Sequence, residues 1–403
     1  MSYLQAASEG GGMSERYDVV IVGGAMIGSA VAWFLSDNPD FDGTILVVER
    51  DPTYADSGTA RTNSCMRQQF TTEVNVRISQ FAAEFVRDLP NRIEGAPEIA
   101  FRSYGYMYLA GDEAQAETMR EAQAIQQRLG AGTRTMTPAQ ILAEYPFYDL
   151  DGIVCANHNT VDEGYFDGGT LFDTWRDTAR RNGAKYIHDE VVGLDREGDR
   201  VVSVRLASGR EVSCGHLVVA AGTRAPQVAA MAGIDLPVEP RRRYTFIFDA
   251  AEPLSRDLPL TIDPSGVHVR SDGRYYLAGC PPEDDTPPGL DDFDDDYAIW
   301  EEKVWPAIAA RVPAFERIKL VNQWIGHYDF NTLDQNAIVG FHDEVRNVAI
   351  ANGFSGHGFQ QSPAVGRGIA ELITHGGYRS LDLAPLGYER IRSGTPLPER
   401  AII

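Results

Sequence analysis

The segment Gly23-Gly24-Ala25-Met26-Ile27-Gly28 has the spacing of a turn that binds a pyrophosphate. Glycines let the backbone approach phosphate oxygens, and the N–H groups of a following helix face the negative charge. Ala25 replaces the second glycine of the pattern, where the backbone comes close to the phosphate. Its methyl group restricts the geometry of that approach without excluding binding. Glu49 lies where its carboxylate would accept hydrogen bonds from ribose hydroxyls and repel a 2′-phosphate. The spacing predicts a site for NAD or FAD and disfavours NADP.

A second glycine-rich turn, Gly353-Phe354-Ser355-Gly356-His357-Gly358-Phe359-Gln360, lies about 330 residues beyond the first and precedes an apolar helical stretch. A helix beginning here would direct N–H groups and partial positive charge at an atom that gains negative charge, such as the N1–C2=O edge of a reduced flavin. One cofactor that contacts both turns must be long.

The elements around these turns alternate strand and helix only at the start of the chain. A strand over 17–22, a helix ending near Leu35 and a strand over 44–48 form a βαβ unit. Short strands punctuated by turn residues are predicted between 185 and 221 and between 241 and 279. The loop 56–70, rich in Ser, Thr, Asn and Arg, is predicted to lie against a ligand.

The charge of the chain excludes some classes of partner. With 58 acidic and 36 basic residues, the formal net charge is −22. Such an excess of acid repels polyphosphates, so we expect no binding to nucleic acid or to an anionic membrane surface. The longest apolar runs are strand-sized, and no transmembrane segment is predicted.

The four cysteines, Cys65, Cys155, Cys214 and Cys280, are widely spaced and form no C-x-x-C pair, which is typical of a reducing compartment. Residues 1–16 lack the features of a secretion signal and are expected to form a flexible leader. These observations predict a cytoplasmic protein.

An acidic run over 284–296 lacks the glycine and terminal glutamate spacing of an EF-hand and is predicted to be a solvated surface loop. The histidines and cysteines form no cluster with ligand spacing. No metal site is predicted.

Several motifs together resemble a known family. They are the two glycine-rich turns, Arg67-Gln68-Gln69-Phe70, Asp263-Pro264-Ser265-Gly266, and the run Tyr328-Asp329-Phe330-Asn331-Thr332-Leu333-Asp334-Gln335-Asn336. With these motifs the chain resembles, from Tyr17 to Arg390, the FAD-dependent amino-acid oxidoreductases that include D-amino-acid oxidase, glycine oxidase and monomeric sarcosine oxidase. Within that family it looks most like the FAD-dependent oxidoreductase domain-containing protein 1 branch.

The resemblance implies an α/β fold in which a Rossmann-like FAD-binding domain is interleaved with a mostly antiparallel-sheet substrate domain. The FAD-binding domain would comprise residues 17–98, 150–238 and 331–392. Residues 99–149 and 239–330 would form the substrate-binding domain, and residues 393–403 a C-terminal tail.

The resemblance also implies which residues contact FAD, which we expect to bind non-covalently. In that family the residue that corresponds to Val191 meets adenine through its backbone, and the second glycine-rich turn lies beside the flavin ring. The expected contacts are Gly23, Gly24, Ala25, Met26, Ile27, Gly28, Glu49, Arg50, Thr59, Ala60, Arg61, Asn63, Ser64, Cys65, Met66, Val191, Ala221 and Gly222, followed by Gly353, Ser355, Gly356, His357, Gly358, Phe359 and Gln360.

For the substrate, Arg67 aligns with a family arginine that holds a carboxylate, a task suited to the two parallel N–H donors of a guanidinium. The other candidate catalytic residues are His268, Tyr276, His327, Tyr328, His357 and Gln360, and Tyr106 and Tyr244 are candidates for the pocket wall.

Three departures from sarcosine oxidase concern the flavin. His327 replaces the cysteine that attaches the flavin there, so no sulfur link is expected at this position. The lysine that promotes reaction with oxygen has no equivalent around 277–280, and Gln360 replaces the lysine of the second turn. Electron transfer to oxygen is therefore expected to be slow, and the acceptor is left open among oxygen, a quinone and an electron-transfer protein.

The leading hypothesis is oxidation of the C–N bond of a small amino acid or N-methylated amino acid, with hydride transfer to flavin N5 and hydrolysis of the imine. One alternative is a 2-hydroxy-acid dehydrogenase in which His268 or His357 removes the hydroxyl proton. Another is a flavoprotein that acts mainly as an assembly or interaction factor.

Overall fold

The computed structural model describes residues 15–294 and 297–400, and the strands within them form three sheets. The strands are β1 Glu15–Val22, β2 Ile45–Glu49, β3 Cys65–Met66, β4 Phe101–Arg102, β5 Tyr106–Ala110, β6 Arg134–Met136, β7 Cys155–Asn159, β8 Gly164–Phe166, β9 Lys185–His188, β10 Val191–Glu197, β11 Arg200–Leu206, β12 Glu211–Val219, β13 Val238–Ala250, β14 Leu260–Ile262, β15 His268–Asp272, β16 Tyr275–Cys280, β17 Ile318–Asn331, β18 Ile338–Phe341 and β19 Val348–Asn352.

Most of the helices connect strands or cover the first sheet. They are α1 Met26–Ser36, α2 Glu73–Arg87, α3 Leu89–Arg92, α4 Glu113–Arg128, α5 Pro138–Glu144, α6 Gly168–Arg181, α7 Ala225–Ala230, α8 Trp305–Arg311, α9 Gly358–His375 and α10 Glu389–Ser393. Among residues 15–294 and 297–400, no helix has both the length and the hydropathy needed to span a bilayer.

The first sheet has the strand order β10-β11-β12-β1-β2-β9, with β19 also paired to β12 and β18 paired to β19. Strands β19, β12, β1, β2 and β9 run parallel. The apolar runs of β1, β2 and β19 are buried, as expected for a sheet with both faces covered. Helix α1 crosses from β1 to β2 and packs against α6 and α9.

The second sheet has the order β17-β13-β16-β15-β14-β5-β7-β6 and is antiparallel except for the β14–β5 pair. A short third sheet, β3-β8-β4, is formed by strands that precede and follow β5, β6 and β7 of the second sheet in the chain. The predicted combination of a Rossmann-like sheet with a mostly antiparallel sheet is confirmed.

Two details differ from the sequence expectations. In place of the last short strands expected before residue 221, the chain forms the single strand β12, whose first half pairs with β11 and whose second half pairs with β19. Strand β7 falls in the range 150–238 predicted for the FAD-binding domain, yet it pairs with β5 and β6 of the second sheet. A local sequence pattern does not reveal which sheet a short strand joins.

The structure describes part of both chain ends. Residues 1–14 of the predicted leader lie outside the described residues, and Glu15 and Arg16 already belong to β1. In the predicted tail, the backbone N–H of Leu397 donates to Asp334 at 3.0 Å, and the backbone N–H of Glu399 donates to the Asp334 carbonyl at 3.0 Å. The tail is therefore attached to the segment after β17.

Candidate active site

A cavity of about 570 Å³ lies where the carboxyl ends of β1, β2 and β12 meet the edge of the second sheet. Its lining includes residues of both glycine-rich turns, of the loop 50–67 and of strands β13, β15 and β17. One continuous cavity thus joins segments that are more than 300 residues apart in the chain.

The first glycine-rich turn is closed by tight backbone packing. Gly23 has φ +96°, and a Cβ atom there would lie 2.4 Å from the carbonyl oxygen of Ala220. A Cβ atom on Gly28 would lie 1.8 Å from the carbonyl oxygen of Gly23. Ala25, with φ −71° and ψ −159°, has a backbone conformation open to any L-residue, so its methyl group causes no strain. It is the N-cap of α1 and offers no side-chain oxygen to the helix N-terminus.

Glu49 ends β2 and lines the cavity beside this turn. Its carboxylate accepts hydrogen bonds from the backbone N–H of Gly24 at 2.7 Å and of Asp51 at 2.8 Å. Burial raises the pKa of Glu49, and the two N–H donors oppose that rise. The carboxylate is therefore held in a fixed place at the strand end.

The second turn is shaped by Asp329 of β17. Its carboxylate accepts the backbone N–H groups of Gly353 at 2.7 Å and Phe354 at 3.2 Å, and burial raises its pKa to about 6. Gly353, Ser355 and Gly356 all have positive φ values. The turn leads directly into α9, whose N-cap, His357, has no side-chain capping bond.

Arg67 lines the cavity beside this turn and is only 3% exposed. Its Nη2 lies 2.8 Å from Nε2 of His357, and its backbone N–H donates to Oε1 of Gln360 at 2.8 Å. Its guanidinium also lies 4.5 Å above the ring of Phe70. Because a guanidinium only donates, Nε2 of His357 must be the acceptor, and the imidazole is uncharged with its proton on Nδ1.

His268, at the start of β15, lines the same cavity and is 6% exposed. Its Nε2 lies 3.3 Å from Nδ2 of Asn63, whose Oδ1 accepts the hydroxyl of Thr245. Because the Asn63 oxygen faces Thr245, the Asn63 NH2 group faces His268, and Nε2 of His268 accepts the hydrogen bond from it. Burial, with smaller contributions from Arg270 and Arg243, lowers the pKa of His268 to about 4.

Comparison with known proteins identifies the family. The chain matches the family model described as FAD dependent oxidoreductase (DAO) over residues 18–372. It is 37% identical over 426 residues to FAD-dependent oxidoreductase domain-containing protein 1 of Xenopus laevis, covering 96% of this chain and 85% of that protein. The chain belongs to the FAD dependent oxidoreductase family. The predicted family is therefore confirmed, and the protein is an FAD-dependent oxidoreductase.

Two further similarities are at lower sequence identity. The chain is 26% identical to the sarcosine oxidase subunit beta of Rhizobium meliloti (strain 1021), over 90% of this chain and 85% of that one. The crystal structure of L-proline dehydrogenase from P. horikoshii superposes with a TM-score of 0.83 at 26% identity, covering 95% of this chain and 99% of that one.

The residues of the cavity fit the cofactor of the FAD dependent oxidoreductase family. Glycines 23 and 28 close the turn without side chains, which leaves the N-terminus of α1 accessible to a pyrophosphate. Glu49 lies at the ribose position of such folds. The second turn lies along the same cavity, as an extended dinucleotide requires.

Most of the predicted FAD contacts line this cavity. They are Gly23, Ala25, Met26, Ile27, Glu49, Arg50, Thr59, Arg61, Asn63, Ser64, Cys65, Val191, Ala221, Gly222, Ser355, Gly356, His357, Gly358, Phe359 and Gln360.

The other predicted contacts do not line the cavity. Gly24 donates its N–H to Glu49, Gly28 packs on Gly23, and Gly353 donates to Asp329. Met66 is fully buried in the core beneath α1, and Ala60 is exposed. Of these residues, Gly24, Gly28 and Gly353 support the lining through their contacts.

The prediction for Tyr276 needs correction. Arg67, His268, His327, Tyr328, His357 and Gln360 line the cavity, whereas Tyr276 does not. Its ring packs 4.7 Å from that of Phe315, and its hydroxyl accepts the backbone N–H of Leu254 at 2.9 Å. Side chains alternate along β16, so Tyr276 faces the hydrophobic core with Ala278 and Cys280.

His327 and Tyr328 lie near the cavity rim on β17. The ring of His327 stacks on Phe293 at 4.2 Å, and Phe293 also packs under the guanidinium of Arg61 at 4.3 Å. The guanidinium of Arg243 lies 4.4 Å above the ring of Tyr328, and burial raises the pKa of the Tyr328 hydroxyl to about 12.

The acidic run 284–296 is more than a solvated loop. In its described part, Asp285 forms an ion pair with Arg243, and Asp292 with Arg242, both basic residues of β13. Asp291 pairs with Arg224, which lines the cavity. Residues 295 and 296 lie outside the described part. Among residues 15–294 and 297–400, no group of three potential ligands could hold a metal ion.

Sequence reasoning missed several residues of the site. Thr245, Leu260 and Arg243 line the cavity from strands β13 and β14. The buried Glu163 holds the two residues after Arg67. None of these residues belongs to a motif, because each acts through contacts with segments far away in the chain.

Proposed function

We propose that the protein oxidises the C–N bond of a small amino acid or N-methylated amino acid, with Arg67 binding the substrate carboxylate. The observation that carries the proposal is the position of Arg67, which is nearly fully buried and lines the cavity beside the second turn. A guanidinium in such a place can form two parallel hydrogen bonds with a carboxylate, and burial strengthens their electrostatic component.

Residues around Arg67 would orient it for this task. His357 accepts a hydrogen bond from one guanidinium nitrogen, and Gln360 fixes the backbone of Arg67. Phe70 supports one face of the guanidinium. These contacts restrict the side-chain rotamers of Arg67 and lower the entropy lost when a substrate binds.

Bound FAD would supply the redox chemistry, in which a hydride leaves the α-carbon or an N-methyl carbon of the substrate for N5 and the resulting imine is hydrolysed by water. The residues of the chain would align the C–N bond and exclude water from the cavity. No side chain has to act as an obligatory base in this scheme.

The names of two relatives support an amine substrate. Sarcosine and L-proline, the substrates in the names of sarcosine oxidase subunit beta and L-proline dehydrogenase, are both amino acids with a secondary amine. A small N-substituted amino acid is therefore the first substrate class to test.

The protonation states of two histidines argue against oxidation of a 2-hydroxy acid. That reaction requires a base to remove the hydroxyl proton. The pKa of His268, lowered to about 4, makes it a poor base at neutral pH. Nε2 of His357 already accepts a hydrogen bond from Arg67.

The cavity lining also bears on the electron acceptor. Its described residues include no lysine, the residue type that promotes reaction with oxygen in sarcosine oxidase. We expect slow consumption of oxygen and a faster reaction with a quinone or an electron-transfer protein.

Anaerobic mixing of the yellow holoenzyme with D-, L- and N-methyl amino acids tests the proposal. We expect at least one small amino acid to remove the visible absorbance, and 2-hydroxy acids to leave it unchanged. Reduction by 2-hydroxy acids alone would favour the dehydrogenase alternative. Absence of reduction across the panel would favour a role in assembly or interaction.

A further inference from the structure

We propose that two buried carboxylates from distant parts of the chain, Glu163 and Glu399, are positioning residues for Arg67. The inference rests on the proposed role of Arg67 in binding the substrate carboxylate. It concerns the segment 67–72, which begins at the cavity with Arg67 and ends at Thr72, the N-cap of α2.

Glu163 holds the first part of this segment. The residue is fully buried just before β8. Its Oε1 accepts the backbone N–H of Gln68 at 2.7 Å and of Gln69 at 3.1 Å. Its other oxygen accepts the side-chain amide of Gln69 at 2.8 Å, and Asn159 adds a fourth donor at 2.9 Å.

Glu399 holds the second part of the segment and is 1% exposed. Its Oε1 accepts the backbone N–H of Thr71 at 2.8 Å and the hydroxyl of Thr71 at 2.7 Å. Its Oε2 accepts the N–H of Thr72 at 3.2 Å, the hydroxyl of Thr72 at 2.9 Å and the amide of Asn75 at 3.0 Å. A carboxylate from the C-terminal tail therefore caps the N-terminus of α2.

Two carboxylates together accept four of the six backbone N–H groups in the segment. Arg67 is the member of the segment that lines the cavity. Both carboxylates also interact electrostatically with the buried guanidinium. Because the guanidinium must meet a substrate carboxylate within hydrogen-bond distance, a shift of this segment would move the binding group itself.

The test is run at pH 8.5, where Glu163 is ionised, and compares Glu163→Gln and Glu399→Gln with the matched control Glu371→Gln. Glu371 is a similarly buried carboxylate on α9 that accepts the N–H groups of Arg379 at 2.7 Å and Ser380 at 3.2 Å, and it does not line the cavity. Each FAD-loaded variant is mixed anaerobically with L-proline and with sarcosine, and the dependence of flavin bleaching on concentration gives the substrate Kd and the limiting rate.

We expect Glu163→Gln and Glu399→Gln to raise the substrate Kd about tenfold with a smaller change in limiting rate, because the carboxylate site is displaced while the rest of the cavity is kept. Amide hydrogen exchange over residues 67–72 should accelerate in both variants. Glu371→Gln should show neither change.

The inference would be overturned if the substrate Kd of both variants lies within about twofold of the Kd of Glu371→Gln while Arg67→Met raises the Kd. The proposed function would then remain intact. A substrate Kd unchanged in Arg67→Met would instead refute the proposed role of Arg67, and the inference with it. If a glutamine variant fails to fold, Thr71→Val removes a single donor to Glu399. It should raise the Kd in the same direction, and an unchanged Kd would contradict the proposal.

Discussion

The two ends of the cavity are built from different parts of the chain. At the end near β1, backbone groups of one continuous turn shape the wall, and Gly23 and Gly28 are needed because no Cβ atom fits. At the end near α9, the wall is made by side chains from separate segments, including Arg67, His268 and His357. A pyrophosphate is bound by a local backbone arrangement, whereas a small substrate is bound by side chains that long-range contacts must position.

This difference implies two kinds of sensitivity to mutation. Changes at the β1 end should reduce FAD binding without altering substrate preference. Changes to the substrate-binding side chain Arg67 at the α9 end should reduce substrate binding and leave the protein yellow. Substitutions at each end therefore test the comparison independently.

The largest expected effect is that of Arg67→Met. Loss of a buried, charged hydrogen-bonding group should lower kcat/KM for an amino acid substrate by about 100- to 1,000-fold, with FAD content unchanged. Steady-state kinetics with L-proline or sarcosine and an electron acceptor would measure it. Arg77→Met, on the exposed face of α2, is the control and should retain wild-type kinetics. Equal activity of the two variants would remove the assigned role of Arg67.

Gly28→Ala tests the opposite end. The added methyl group would clash with the carbonyl oxygen of Gly23 and distort the turn, so we expect FAD affinity to fall by about ten- to a hundredfold. Titration of the apoprotein with FAD, followed by flavin fluorescence, would measure the change. Gly377→Ala has no neighbour within 4 Å of the new methyl group and should bind FAD normally. Undiminished affinity in Gly28→Ala would contradict the assigned turn.

A smaller effect concerns the pH dependence of stability. Burial raises the pKa of Glu163 to about 7, above its ordinary value of 4.5. Its contribution to stability is therefore fully present below pH 4.5 and is lost as the pH rises through 7. Between pH 5.5 and 8, the wild type should lose about 2 kcal/mol of stability relative to Glu163→Gln. Thermal midpoints at both pH values would measure this, and a constant difference would contradict the raised pKa.

The smallest expected change is at His327. Because this position holds no cysteine, precipitation with acid should release all FAD into the supernatant, and His327→Ala should behave in the same way. Yellow colour retained in the protein pellet would contradict non-covalent binding.

The features that could be predicted are those that depend on residues close together in the sequence. The βαβ unit, the turn before α1 and the position of Glu49 follow from local patterns, and the structure places them along one cavity. The assignment of Tyr276 failed because the local pattern of β16 does not show what its faces pack against, and Tyr276 packs in the hydrophobic core with Ala278 and Cys280. Glu163 and Glu399 could not be predicted, since each contacts residues 67–72 only after the chain has folded.

The most direct test of the central claim compares amino acids with the same amines lacking a carboxylate. The holoenzyme is mixed anaerobically with L-proline or pyrrolidine, and with sarcosine or dimethylamine, while the visible absorbance of the flavin is followed. We predict that an amino acid bleaches the flavin and that the corresponding amine without a carboxylate does not. Equal bleaching by both members of a pair, or by neither member of any pair, would contradict it.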